Sequence, residues 1–535
     1  MALPLYPLLA IGLLVALTIF HYILRPAFQP TLAKIPAAHW SAPFSSLWIL
    51  KQRLYQKDVP AIHAAHQRLG PIVRIAPNEL SLNSVDGGIR SIYAGSYEKG
   101  DWYYNAFSNY GIMPMFAMPD HGNHSKRKRM LSSIYAKSTL QSSPAMDKIT
   151  CTLIDERMVP KLSEMCKGRK PVEFYTLFSA VAMDFVVAYL FGMRQGCNYT
   201  QQPDEANVKF VRDYQARKAY LFWPQELPRF ADLMFKLGLG HFFVPTWASQ
   251  AYEDTEAWLL GMCDEAEVVV RKAETEGRKG NVEDWPTVFS QLRNALLIEE
   301  GKKASDGDIE GFLRKHRLTI ASEMLDHAMA GFDTSSITLV FLAWELSLPH
   351  NAHWQTRLHF ELASIKGSRD AKTIDELPIL HAVLMETLRL HAAIPGNQPR
   401  ITPANATLGP PGHSVGGLPA DIRVQSQAWS LHRNPDVFPD AESWKPDRWL
   451  ESSEDRLREM RRWFWAFGSG GRMCVGSNLA MLVMKAIAAG LWADFKTTVV
   501  DDSGMVHNGG YIADPLGKDG KYCLLTVQEM ERSRD

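Results

Sequence analysis

Cysteine is scarce, with six residues in 535, and no two of them stand in a C-x-x-C pair. That excludes a disulfide-built scaffold and a ribbon-type zinc site, and it fits a reducing compartment. Net charge is absent too: 58 Lys and Arg balance 58 Asp and Glu, so no global basic field draws the chain to nucleic acid. Internal repeats and low-complexity tracts are lacking, which excludes solenoids and long disordered arms. There is no Walker A loop, no G-x-S-x-G elbow, and Gly238-Leu-Gly240 lacks the third glycine of a dinucleotide fingerprint. Electrons for any redox step must come from another protein. What remains is 46% apolar residues, with only 36 Gly and 31 Pro, the composition of a folded chain with a sizeable core. Length alone allows three or four domains, but one catalytic body is the economical reading.

Residues 2–24 contain no Lys, Arg, Asp or Glu, enough to cross about 30 Å of hydrocarbon as a helix. The rival reading, a cleaved signal peptide, expects a basic residue ahead of a shorter apolar core, and none precedes Arg25. Arg25 and Lys34 behind the span predict a body on the cytoplasmic face. Pro26, Pro30, Pro36 and Pro43 predict a stiff, non-helical hinge over 25–45, with the catalytic body at 46–535. Within that body, Gly70 to Leu82 reads as a hairpin turning at Pro77-Asn78, and helices dominate from Asp120 to His391. The charged segments 274–283 and 299–308 read as solvated loops.

The most specific segment runs from Phe467 to Gly476 and sets Cys474 among glycines, ahead of a predicted helix from Asn478 to Leu491. Glycines let a backbone approach a flat cofactor and turn N–H groups towards a sulfur, and such bonds tune a metal-bound thiolate. A helix start just after Cys474 favours thiolate over thiol, and Arg472 can neutralise a carboxylate. The pattern resembles the haem-binding signature of the cytochrome P450 family, F-x-x-G-x-R-x-C-x-G, matched at Phe467, Gly470, Arg472, Cys474 and Gly476. The resemblance implies a mostly α fold with a small β region, here preceded by a single N-terminal transmembrane helix. It also implies a haem cofactor whose iron takes Cys474 as axial ligand.

Three further segments extend the resemblance. Glu386 and Arg389 lie three apart in the predicted helix Leu377 to Leu390, on one face, where an exposed pair would be worth little. With Arg448 of Pro446-Asp-Arg-Trp449 they resemble the family's structural triad, which fixes the cysteine loop. Ala330-Gly-Phe-Asp-Thr-Ser335 puts polar residues in the apolar helical stretch Leu318 to Leu348. A hydroxyl there can bond back to a carbonyl one turn earlier, and Gly331 lowers the resistance to a local opening. This matches the family's oxygen-activating signature. It implies that Thr334 hydrogen-bonds activated oxygen while Asp333 relays protons to it. The basic run Lys126 to Arg129, echoed by Arg456, Arg458, Arg461 and Arg462, usually means a solvated helix face. By resemblance it marks the haem-propionate helix and the docking surface of an acidic flavoprotein reductase, with His124, Lys128 and Arg400 as cofactor contacts. Where the family often has L-A-x-x-E after the cysteine, Leu479-Ala480 is followed by Val483.

The resemblance therefore implies a monooxygenase that takes electrons from NADPH through cytochrome P450 reductase. One atom of O2 enters an apolar small molecule, on a membrane of the endoplasmic reticulum with the body facing the cytoplasm. Its texture is similar to filamentous-fungal members of secondary metabolism. Phe107, Met113, Met115, Phe116 and Ala392 to Gly396 fall in pocket-like positions. The competing readings are an O2-independent haem-thiolate isomerase or dehydratase, a housekeeping sterol, fatty-acid or xenobiotic hydroxylase, and a non-catalytic haem-binding scaffold.

Overall fold

The computed structural model describes residues 5–95, 97–202, 204–277, 280–301, 309–503, 505–516 and 523–530. An N-terminal helix α1 (Leu5–Ile19) precedes seven helices that position the site: α2 (His121–Leu131), α3 (Phe174–Phe191), α4 (Asp204–Tyr220), α5 (Thr246–Glu276), α6 (Ile309–Ser347), α7 (Pro378–Leu390) and α8 (Ser477–Trp492). The β component is small. Ile72–Ala76, Glu79–Leu82, Arg423–Gln425 and Arg400–Ile401 form one four-stranded sheet in that order. Val172–Glu173, Leu524–Glu529 and Phe495–Asp501 form a second, antiparallel sheet. The hairpin falls at 72–82 with the turn at Pro77-Asn78. Of the two segments expected as loops, 274–283 begins inside α5 and leaves it at Gly277, whose φ of 66° suits glycine. Most of 299–308 lies outside the described residues.

α3 is apolar all round because it is a core helix. Both carboxylate oxygens of Glu173 cap its start, accepting from the N–H groups of Tyr175 and Thr176. Among the described residues it is the one helix long and apolar enough to cross a membrane, and nearly all of it is buried. α6 runs across α3 and continues against α7, α8 and the second sheet. The crossing explains Gly331: a Cβ there would sit 2.8 Å from Cγ2 of Val186. The expectation that Gly331 eases a local opening is corrected on this ground, since the described helix is continuous and the glycine serves close approach of two helices.

At the N-terminus α1 continues through Leu24 as a wider turn and its apolar side chains from Leu9 onward are exposed. The stretch 25–45, expected as a stiff spacer without helix, instead starts helical at Arg25–Ala27 and then docks on the body. Ala27, Leu32, Ile35, Ala38 and Ala42 are buried. Arg74 holds the segment in place, donating 2.7 Å bonds to the carbonyls of Pro26 and Pro77. Prolines stiffen the chain, but the apolar residues between them gain more from burial than from standing off.

Candidate active site

The cysteine loop is closed by the Cys474 N–H donating to the Phe467 carbonyl at 3.0 Å. Gly470 makes the turn with φ 70°, and a Cβ there would lie 2.4 Å from the Tyr93 carbonyl oxygen, so glycine is required on both counts. Lys128 of α2 pins the loop from outside, donating to the carbonyls of Gly471 and Met473 at 3.0 and 2.9 Å. Arg472 donates to the carbonyls of Met118 and Pro119. Gly476 caps α8, and a Cβ on it would meet nothing within 4 Å. The N–H groups of Gly476 and Ser477 are directed at the Cys474 sulfur.

Burial pushes the Cys474 thiol up, and this outweighs those N–H groups and Lys128. The helix start favours the thiolate as expected but does not outweigh burial; a metal cation bound to the sulfur would reverse the balance. Cys474 is exposed by area although protein surrounds it. The same holds for Ala330 in the middle of α6, so both face an internal space.

Thr334 donates its hydroxyl to the Ala330 carbonyl at 2.8 Å, one turn earlier, as expected. Asp333 is placed differently from the expectation of a proton relay beside Thr334. Successive helix residues point about 100° apart, and the carboxylate of Asp333 turns to α4. It accepts from Lys218 of α4 at 2.9 Å and from the hydroxyls of Tyr175 of α3 and Tyr214 of α4 at 3.2 and 3.3 Å. Lys218 also reaches Asp514 at 2.6 Å. Burial alone would lower the Lys218 pKa, but the two carboxylates reverse this and raise it. Lys218→Met is expected to cost about 3–5 kcal/mol, because it leaves two buried carboxylates uncompensated. A strongly depressed Tm should show this and Lys218→Arg should recover most of it; an unchanged Tm in Lys218→Met would count against the network.

The structure brings Glu386, Arg389 and Arg448 together. Glu386 accepts from Arg389 Nη2 at 2.7 Å, Arg448 Nε at 3.0 Å, Trp449 Nε1 at 2.9 Å and the Lys445 N–H at 2.9 Å. Arg389 ties down the carbonyls of His432, Ala441 and Ser443.

Five basic side chains converge beside the cysteine loop: Lys99, His124, Lys128, Arg400 and Arg472. Lys99, His124 and Arg400 are buried. No ion pair joins any of the five to a carboxylate among the described residues. Burial, reinforced by Arg472, Lys99 and Lys128, holds His124 down at about 3. Burial and the neighbouring Arg400 and Arg472 hold Lys99 well below the usual lysine range. Arg400 donates to Tyr103 Oη at 2.7 Å while its Nε has no partner. A basic cluster with three buried members and no carboxylate partner among the described residues fits a dianionic ligand, which would favour the protonated forms that burial opposes. The residues therefore fit a haem, with the sulfur for its iron and these basic side chains for its propionates.

Other sequence expectations are redistributed. Lys126 pairs with Glu299 and Arg127 with Glu323 at 3.1 Å, so these two are not a free docking face. Arg458 pairs with Asp455, and Arg462 with Glu459 and Asp86. Phe107 and Phe116 stack edge-on, 5.0 Å apart, in a cluster with Trp102, Tyr103 and Tyr511. Met115 is buried and its N–H donates to Glu323. Gly396 packs on Tyr511, where a Cβ would come within 2.7 Å of Cα. Val483 belongs to the main core, which explains the absence of a family-like acid there.

The sequence model of the cytochrome P450 family matches residues 42–508. The chain is 29% identical over 473 residues to the cytochrome P450 monooxygenase stcB of Emericella nidulans, covering 87% of this chain and 82% of that protein. It is 27% identical to the monooxygenase avaI of Aspergillus versicolor, covering 78% and 93%. It is 25% identical to the monooxygenase tazI of Aspergillus terreus, covering 92% and 94%. The chain belongs to the cytochrome P450 family. It is a P450 monooxygenase, a haem-thiolate enzyme that uses O2, a substrate and a redox partner.

Proposed function

We propose that Cys474 is the iron ligand. In this reading the enzyme takes electrons from NADPH through cytochrome P450 reductase, and inserts one oxygen atom into an apolar small molecule of fungal secondary metabolism. The observation that carries the reading is the Cys474 sulfur at the start of α8, met by two backbone N–H groups. The haem, when bound, supplies the redox chemistry, with thiolate electron donation favouring O–O cleavage.

The chain's residues supply the rest. Arg472 and Arg400 would neutralise the propionates, with His124 as a further hydrogen-bond donor, and Lys128 orients the loop that carries the sulfur. Thr334 holds a hydroxyl on the cysteine-facing side of α6, where it can hold and pass a proton. Asp333 reaches that side only by exchanging its bond to Lys218, so Lys218 controls its availability. The exposed apolar face of α1 anchors the protein in the endoplasmic reticulum membrane with the body on the cytoplasmic side. A second exposed apolar patch at Leu233, Phe235, Leu237, Phe242 and Trp247 supports contact with the lipid surface. Reductase docking falls to the exposed basic residues Arg129 and Arg461, which make no ion pair among the described residues.

Oxygen uptake and NADPH oxidation in vesicles with added reductase test this, using extracts of candidate metabolites as substrate. In Thr334→Ala the hydrogen peroxide released per NADPH should rise several-fold while product falls; tightly coupled turnover would remove Thr334 from proton delivery. Turnover of an oxygenated substrate without O2 or NADPH would replace this reading with the isomerase or dehydratase one.

A further inference from the structure

Asp326 stands apart from the other acids of α6. Glu310 pairs with Arg271, Glu323 with Arg127, Asp333 with Lys218, and Glu345 with His391. Asp326 makes no hydrogen bond or ion pair among the described residues. Asp326, Ala330 and Thr334 follow one another at four-residue spacing and share one helix face. On that face Ala330 is exposed and Asp326 and Thr334 half-buried, while Ala328, Met329, Phe332 and Asp333 between them are buried. The face therefore borders an internal space, as Cys474 does.

Electrostatics place the carboxyl in the same wall. Its charge pushes up the Cys474 thiol and the Tyr511 hydroxyl, and supports the Lys99 cation. Tyr511 belongs to the aromatic cluster with Tyr103, Phe107 and Phe116, so Asp326 lies within electrostatic reach of both the sulfur and an aromatic surface. The charged groups around it are Lys99, Arg217, Glu323 and His327. Lys99 is spent on the Phe116 carbonyl and Arg217 on Asn109 and the Ala106 carbonyl. Burial raises Asp326 to about 7, so both protonation states are within reach near neutral pH. A carboxyl that burial penalises and that no side chain bonds costs stability unless something else bonds to it.

We propose that Asp326 is the polar anchor of the substrate site, accepting a hydrogen bond from a hydroxyl or amine on an otherwise aromatic or apolar molecule. The anchor fixes which end of the molecule faces Cys474. The proposal rests on the haem-thiolate reading, and its test separates the two.

The ferric holoenzyme is titrated spectroscopically with 4-phenylimidazole and with its analogues carrying a hydroxyl or aminomethyl group at the meta or para position. A donor-bearing analogue should bind about tenfold tighter than the parent, the size of a hydrogen bond to a charged group. Asp326→Leu should abolish that advantage. Asp326→Asn should keep the hydroxyl analogue's gain and lose the aminomethyl analogue's, and it carries the test if the leucine variant does not take up haem. An equal ratio of affinities in wild type and variants, or no advantage for either donor in the wild type, overturns the proposal. Absence of any imidazole shift in the wild type would overturn the haem-thiolate reading itself, and the anchor with it.

Discussion

Cys474→Ala is expected to abolish the thiolate-type absorption of the reduced, CO-bound protein completely, while far-ultraviolet circular dichroism stays near that of the parent. The loop does not need the side chain to fold, because its closure uses the Cys474 N–H and its turn uses Gly470. What is lost is the one sulfur that two backbone N–H groups converge on. The other cysteines provide the control. Cys263 and Cys523 are buried among apolar residues, with thiols held well above the ordinary range by that burial, so Cys263→Ala should leave the spectrum intact. A thiolate-type spectrum in Cys474→Ala would dismantle the assignment of the site.

Glu386→Ala has the next largest effect, and it acts on the fold. Removing the carboxylate leaves Arg389, fully buried, without its charge partner, and strips acceptors from Arg448, Trp449 and the Lys445 N–H. Breaking a buried pair costs about 3–5 kcal/mol. Against a total stability of about 5–15 kcal/mol for a native protein, that is enough to lose most of the holoprotein. The measurements are yield of haem-loaded protein and Tm. Glu386→Gln should be milder, since the amide oxygen still accepts a hydrogen bond. Normal haem content in Glu386→Ala would show that the network does not hold the cysteine loop in place.

Short-range chemistry was the legible part of this chain. Cys474 with its glycines, the i, i+3 pair Glu386–Arg389 and the Thr334 back-bond are all set by spacing within one turn or loop. So was the hairpin at Pro77-Asn78. Arg448 joins Glu386 across sixty-two positions, and no local rule reaches that far; resemblance supplied it. Lys218 was invisible because it lies among charged residues of α4 and reads as a solvated face, until the fold sets Asp333 and Asp514 against it. Lys99, between Glu98 and Gly100, reads as an exposed turn and is buried. Gly331 looked like a weak point in a helix, and its role is set by Val186, far away in sequence. Lys126 and Arg127 misled for the same reason, since their partners sit on elements more than 170 residues downstream. The prolines of 25–45 signal rigidity correctly, but not that Arg74 would grip their carbonyls.

The convergence of Lys99, His124, Lys128, Arg400 and Arg472 has a consequence for how the chain matures. Basic groups crowded together and partly out of water oppose one another's protonation, so the polypeptide by itself is electrostatically frustrated at this one point. A bound dianion relieves the frustration, which makes the cofactor part of the folding equilibrium as well as of the chemistry. Newly made chains then survive in proportion to porphyrin supply, and starvation for iron should show first as shortened protein lifetime.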